Sequence, residues 1–365
     1  MAVSLTFLFN SDTCYTCQLQ RIVAKSSTGQ IQLSVSHIAQ DVTEARTLIF
    51  SSIYTVYKGE LTIHDMGSLI ETFMQQQFMA VEKIAIKAAR INSPDIDEHI
   101  LTVVYCKQQK TNIPANLLLT DHFLTNRIQR ITCRSAVEML PLNMPRHSVG
   151  GYNMYSYDLK ATYLLPDQSV GTYTKTISGR TGQGVISLNV SPSAIEQAIS
   201  RFLPANAKLV AYTIRMGQRT ISFYITDFTN CFSFIYRNAY NCQEFLTIPI
   251  QFTETLSSKS SLAQCRDTLQ QYDIQHARTY KVQTAIQTLA DARLLEEFLT
   301  SFNVQLQIGS FYHRILITDY TFELSDNPGT ANSIKFEFRF ADTRQALKLD
   351  EYTRIFSPEY TEPFV

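Results

Sequence analysis

Period-two alternation dominates this chain, and spacings near 3.6 appear only in short stretches between the alternating ones. Val3 to Phe9, Gln30 to Val35 and Leu48 to Val56 read as strands with one buried face. Lys58-Gly59 marks a turn, and Glu60 to His64 alternates again. Leu69, Ile70, Phe73 and Met74 then share one helical face, behind a cap at Asp65 or Ser68. Val81 to Ala88 and Ile100 to Cys106 return to strand spacing on either side of the breaker Ser93-Pro94-Asp95. His99 falls between them and reads as a loop residue.

A second run of elements begins near Tyr152. Gly171 to Gly184 reads as a loop rich in Gly, Thr and Ser. Ser191-Pro192 opens a helix, with proline at its first position and Ile195, Ala198, Ile199 and Phe202 on its apolar face. Lys208 to Met216 and Thr220 to Thr226 flank Gly217-Gln218 as a hairpin. Gly59 to Glu71 aligns with Gly184 to Glu196 without a gap, with Gly59/Gly184, Ser68/Ser193, Ile70/Ile195 and Glu71/Glu196 identical. Internal repetition constrains architecture before any residue chemistry does. Two copies of one strand-turn-helix module are expected.

The C-terminal third adds a strand at Tyr280 to Ala285 and a helix from Leu289 to Phe302, with Leu294, Leu295, Phe298, Leu299 and Phe302 facing one way. Strands at Val304 to Ile308, Arg314 to Glu323 and Ser333 to Phe340 follow. In the last, Phe336, Phe338 and Phe340 oppose Lys335, Glu337 and Arg339. The fold class predicted is α+β: mainly antiparallel sheet or sandwich modules, each with a packed helix, internally duplicated. Pro141, Pro145 and Gly150-Gly151 suggest a linker, which divides the chain into 1–146, 147–350 and a tail at 351–365.

Composition narrows the partners. The 365 residues carry a formal net charge of zero, with 45% apolar and 18% charged residues. Zero net charge argues against a binder that lives on phosphate contacts. It also protects poorly against association, and 22 Phe with 19 Tyr suit faces that neighbouring subunits cover. The N-terminus lacks the basic region and small-residue cleavage site of a secretory signal. No run approaches the roughly eighteen apolar residues of a spanning helix. Seven scattered cysteines do not make a disulfide framework and point to reduced thiols.

Candidate chemistry is sparse. Cys14 and Cys17 have the spacing of half a zinc or redox site, but no second pair completes it. The seven histidines never pair at ligand spacing, and His99 beside Asp97 and Glu98 is the nearest to a cluster. Gly179-Arg-Thr-Gly182-Gln-Gly184 lacks the Lys-Ser/Thr ending and following helix of a phosphate loop, so it reads as a hairpin tip. Asp227 and Asp319 each close an Ile-Thr-Asp tripeptide, a strand-end turn signature. No catalytic, cofactor or metal residue is assigned, and no enzyme activity or cofactor is expected.

Asn230 to Glu244 resembles a pattern of tail proteins from Bacteroides-type phages or prophages. An aromatic strand, Cys231-Phe-Ser-Phe-Ile-Tyr236, leads into Arg237-Asn238-Ala-Tyr240 and then Glu244. Leu294 to Ser301, Val304 to Leu306, Ile315 to Asp319 and Phe336 to Ala341 are similar to the helix, short strand, hairpin and phenylalanine strand of such a tail-component domain. The resemblance covers about a third of the chain and implies the tail-tube, distal-tail or baseplate-hub group. It implies a ring or connector of identical subunits bound to other tail proteins, in a virion built in the host bacterial cytoplasm. No long exposed hairpin stands out, which favours baseplate or distal tail over tube. The alternative is a β-sandwich binding module for a carbohydrate, such as a host-surface glycan, or for a protein ligand.

Overall fold

A computed structural model describes residues 2–27, 29–39, 44–106, 113–121, 123–144, 152–228, 231–265, 268–284, 295–323 and 333–341. The fold is β-rich, with several sheets. Contacts divide the chain into two compact units. The first comprises Met1–Arg130, Val137–Ile225 and Arg237–Glu244; the second comprises Ile131–Ala136, Thr226–Tyr236 and Phe245–Val365. This partition cuts the chain differently from a break near residue 146. The expected tail at 351–365 and the Gly150-Gly151 linker lie outside the described residues.

In the first unit, a sheet of β1 (Ser4–Phe7), β3 (Arg21–Lys25) and β6 (Glu60–His64) shares a core with a larger one. The larger sheet contains β2 (Thr13–Tyr15), β4 (Gln30–Ile38), β5 (Arg46–Thr55), β7 (Val81–Arg90) and β8 (Ile96–Val104), in the order β2-β8-β7-β4-β5. Ile22 and Ile63 from the smaller sheet meet Leu33, Val35, Ile84 and Ile86 from the larger. Met66, Ile70 and Met74 of α1 (Met66–Gln76) join the same cluster. That burial is what fixes a helix of only 11 residues, too short to persist alone. Asp65 takes the N-cap position in a left-handed conformation, φ 62°, without a side-chain capping bond.

The second half of this unit has sheets and a helix of its own. α2 (Ala115–Asp121) precedes β9 (Gln129–Cys133) and β10 (Met139–Met144). Then come β11 (Asn153–Leu164), β12 (Val170–Thr181), β13 (Gly184–Asn189), α3 (Pro192–Ile199), β14 (Lys208–Met216) and β15 (Arg219–Thr226). The large sheet runs β12-β11-β14-β15-β9, and β10 pairs with β13 beside it. Position by position this is the order β5-β4-β7-β8-β2, with β3 and β6 beside it. α1 follows β6 as α3 follows β13. Gly59 and Gly184 open the two strand-helix pieces with φ of 83° and 78°, a backbone region that excludes most side chains.

Two local readings change. The segment predicted as a Gly/Thr/Ser loop is strand β12. Gly171 and Gly179 sit beneath the rings of Tyr163 and Tyr155 on β11, where a Cβ would overlap the ring. The glycines are ring seats in a strand, not turn formers. Pro141 belongs to β10, which pairs with β13 on one side and on the other carries an isolated bridge from Phe123 to Leu142, where Pro141 accepts from Leu124 N–H through its carbonyl at 2.8 Å.

The second unit holds a closed barrel of β16 (Cys231–Arg237), β17 (Gln243–Cys265), β18 (Thr268–Thr284), β19 (Val304–Ile308), β20 (Phe311–Glu323) and β21 (Ser333–Phe340). Around the barrel they run β16-β17-β18-β21-β20-β19. Helical residues 295–299 share its core: Leu295, Phe298 and Leu299 are buried with Phe234, Tyr236, Phe336 and Phe338. The Phe298 ring meets Phe234 at 5.0 Å and Phe336 edge-on at 5.6 Å. Phe302 does not join them and is 39% exposed, because the helix ends before it. Leu294 lies outside the described residues.

The reading that no long hairpin exists is overturned. β17 and β18 are 23 and 17 residues long and pair from Ile250↔Thr284 to Cys265↔Thr268. Among the described residues, Tyr280 to Gln283 are the part of β18 that also pairs with β21. The sequence from Thr253 to Gln275 is rich in Ser, Thr and Gln, so it carries little apolar alternation to read.

Candidate functional site

The most heavily built polar feature is a buried ionic cluster in the first unit. Arg130, Glu138 and Glu244 are each 0% exposed. Arg130 donates to Glu138 Oε2 at 3.0 Å and to Glu244 Oε1 at 2.7 Å, with its guanidinium over the Phe223 ring. Glu244 also accepts from Thr125 Oγ1 at 2.8 Å and from Asn238 Nδ2 at 2.9 Å, and Arg127 lies 3.8 Å away. Two guanidinium groups against two carboxylates leave the cluster neutral. That is the condition for charge to survive at full burial.

Asn238 organises the turn that brings Glu244 in. Its Oδ1 accepts from the N–H groups of Tyr240 and Cys242, and its Nδ2 also donates to Leu124 O. Asn241, at φ 57°, donates to the carbonyls of Met74 and Met79 at the end of α1. Arg237 donates to Asn241 O and covers the Phe78 ring. The Arg-Asn-x-Tyr and Glu of the sequence pattern are therefore the parts of one docked turn. Arg127, Arg130 and Glu138 were missed. The segment from Leu124 to Leu142 mixes polar and apolar residues, so nothing in its pattern set these three apart.

The thiols behave differently from one another. Cys14 in β2 is fully buried, and burial, with Cys17 nearby, pushes its thiol up to about 12. It is inert, and Cys17 sits in the following turn, Thr16–Gln18. Cys133, at the end of β9, is lowered to about 6. The largest cause is a hydrogen bond from Cys231; the Ser135 hydroxyl and the N–H groups of Ser135 and Ala136 add to it against the cost of burial. Cys231, at the start of β16, is raised by the same hydrogen bond and by burial. Nothing in the sequence pattern singled out this pair.

His99 lies inside β8, not in a loop, because the alternation that starts at Ile96 carries through it. It stands 3.4 Å from Asp97, with its ring edge-on to Phe7. Asp227 follows the end of β15 as expected and pairs with Arg134 at 3.6 Å. Asp319 is not at a strand end. It sits within β20, beside a bulge between Ile317 and Asp319. There it borders an open depression of about 350 Å³ with Lys281, Tyr320, Lys335 and Glu337 on the barrel's outer face. Lys281 and Glu337 pair at 3.1 Å. Among the described residues, no group of three or more His, Cys, Asp or Glu could hold a metal ion, and no helix is long and apolar enough to cross a membrane.

No family profile and no curated protein sequence matches this chain. Among solved structures, it is similar to the native conformation of E. coli alpha-2-macroglobulin at 6% identity. The match covers 78% of this chain and 21% of that protein, with a TM-score of 0.21. A likeness that low carries no argument about fold or activity.

Proposed function

We propose that this chain is a structural subunit of a phage tail or related injection machine, assembling with its own copies into a ring or connector and with other tail proteins. The observation that carries the reading is the β17–β18 ribbon. A two-stranded ribbon is marginal in water by itself, and its open edges offer unpaired N–H and C=O groups to another chain. β16, β17's other neighbour in the barrel, is 7 residues long against the 23 of β17. Neighbouring copies complete what the single subunit leaves open. The ribbon also removes the reason for preferring baseplate or distal tail over tube.

The equal strand order of the two sandwich modules supports an internal duplication in an α+β plan, each module packing one helix. β5 and β12 occupy the same open edge in each, so one chain presents two like edges. Like edges on one subunit suit a ring closed by repeated contacts. Size-exclusion chromatography with light scattering, followed by negative-stain microscopy, tests this. Discrete rings are expected. A monomer at every concentration that binds a glycan would replace the reading with the carbohydrate-binding one, for which Tyr320 in the outer depression is the stacking residue to change first.

A further inference from the structure

Phe78 sits at odds with its own backbone. It follows the cap of α1 at φ 56°, a left-handed conformation that helix ends usually give to glycine and that a bulky aromatic rarely adopts. The helix end still closes around it: Met79 N–H donates to Met74 O at 2.9 Å, and Phe78 N–H donates to Gln75 O at 3.2 Å. Core packing does not explain the strain, because the side chain is 48% exposed. The turn at 237–244 does. The Arg237 guanidinium lies 4.7 Å from the Phe78 ring centre and donates to Asn241 O at 2.9 Å. Asn241 Nδ2 donates to Met74 O at 3.0 Å and to Met79 O at 2.9 Å, gripping the helix end on both sides of Phe78. Asn241 is left-handed too, at φ 57°, a conformation that asparagine tolerates better. Behind it, Tyr240 and Cys242 are each 2% exposed and pack with Ala80, Val81, Leu118 and Leu124.

We infer that residues 74–79 and 237–244 form a clasp, a two-state element that opens as one unit before the fold unfolds. Arg237 and Asn241 join the two segments, and the ladder pairing of β7 begins only past them, at Val81. Releasing Asn241 gives the carbonyls of Met74 and Met79 to water and lets Phe78 return to an ordinary backbone. Relief of strain lowers the cost of that opening below what the lost hydrogen bonds alone would set. Closed, the clasp holds the Phe78 ring at the surface beneath Arg237. Open, the ring moves with the freed helix end, and Tyr240 and Cys242 meet solvent. The device ties the placement of one surface ring to a turn 162 residues away in sequence. It does not involve the β17–β18 ribbon, so it stands apart from ring assembly.

Cys242 reports the opening in the full chain. Its alkylation by iodoacetamide, mapped by mass spectrometry, should rise with urea less steeply than the unfolding read by circular dichroism, because opening the clasp exposes less surface. Deuterium exchange at the Met79 N–H should follow the same shallow urea dependence. Asn241→Gly keeps the left-handed backbone available and removes both side-chain bonds. It should speed Cys242 alkylation and Met79 exchange by the same factor, at least about tenfold, as two buried hydrogen bonds are lost. Alkylation of Cys242 with the urea slope of global unfolding would overturn the clasp. So would an Asn241→Gly protein in which one probe speeds up and the other does not. The two urea slopes are measured on the parent chain, so they decide the proposal even if the variant does not fold.

Discussion

At the residue scale, burial decides what each polar group is worth. Glu244, at 0% exposure, is held by Arg130, Thr125 and Asn238. Glu244→Gln should cost about 3–5 kcal/mol in urea unfolding, because Arg130 would keep its charge and lose half its neutralisation. Glu337→Gln, which breaks the exposed pair with Lys281, should cost less than about 1 kcal/mol. A loss at Glu244 no larger than that at Glu337 would mean that the cluster is wet. The thiols make a parallel contrast. Only thiolates alkylate, and Cys133 is lowered to about 6, so its iodoacetamide rate should reach half its plateau near pH 6 and hold above it. Cys14, raised to about 12, should stay unmodified at pH 8. Equal rates at pH 7 would show that the donors around Cys133 do not favour its charged form.

At the element scale, the strands whose neighbours alternate in polarity were legible, and β6, β19 and β21 fall at their expected residues. What alternation could not reveal was β12, where threonines and ring-seating glycines replace apolar residues, and the outer ribbon of β17 and β18. Both have one or two solvated faces, so no hydrophobic pattern is required of them. The ionic cluster was illegible for another reason: its members come from residues 125–138 and 238–244, and only the fold joins them. Where the pattern was strong it located contacts as well. Phe298→Ala should cost about 3–5 kcal/mol, since the ring is 1% exposed and touches Phe234, Tyr236 and Phe336. Phe302→Ala, past the helix end, should cost well under half of that. Gly59→Ala and Gly184→Ala should each cost about 1–2 kcal/mol from backbone strain alone, as nothing crowds a Cβ at Gly59 closer than Ser26 O at 3.6 Å. Denaturation midpoints for the four variants check all of this. A neutral Gly184→Ala would show that the positive φ is not required there.

At the scale of the whole molecule, stability and assembly should separate. The barrel closes through β18 and β21 at Tyr280 to Gln283 and through β16 and β19 at Phe234 and Ile235. Neither set of pairs uses the ribbon beyond Glu254 and Tyr280. Replacing Ser257 to Ala277 with a short Asn-Gly turn, which suits a two-residue hairpin, should therefore leave the barrel core and its melting transition intact. The same change removes most of the open edge that a neighbouring copy would use. The shortened protein should elute as a monomer at concentrations where the parent forms rings, with unchanged near-ultraviolet circular dichroism from the Phe298 and Phe336 cluster. If the shortened chain still forms rings, the ribbon is not the assembling element, and the edges at β5 and β12 become the ones to block, by lysine substitutions at Ile53 and Thr174. If instead it loses its cooperative transition, the ribbon contributes to the barrel's own fold, and the argument from an unsupported hairpin to a partner fails with it.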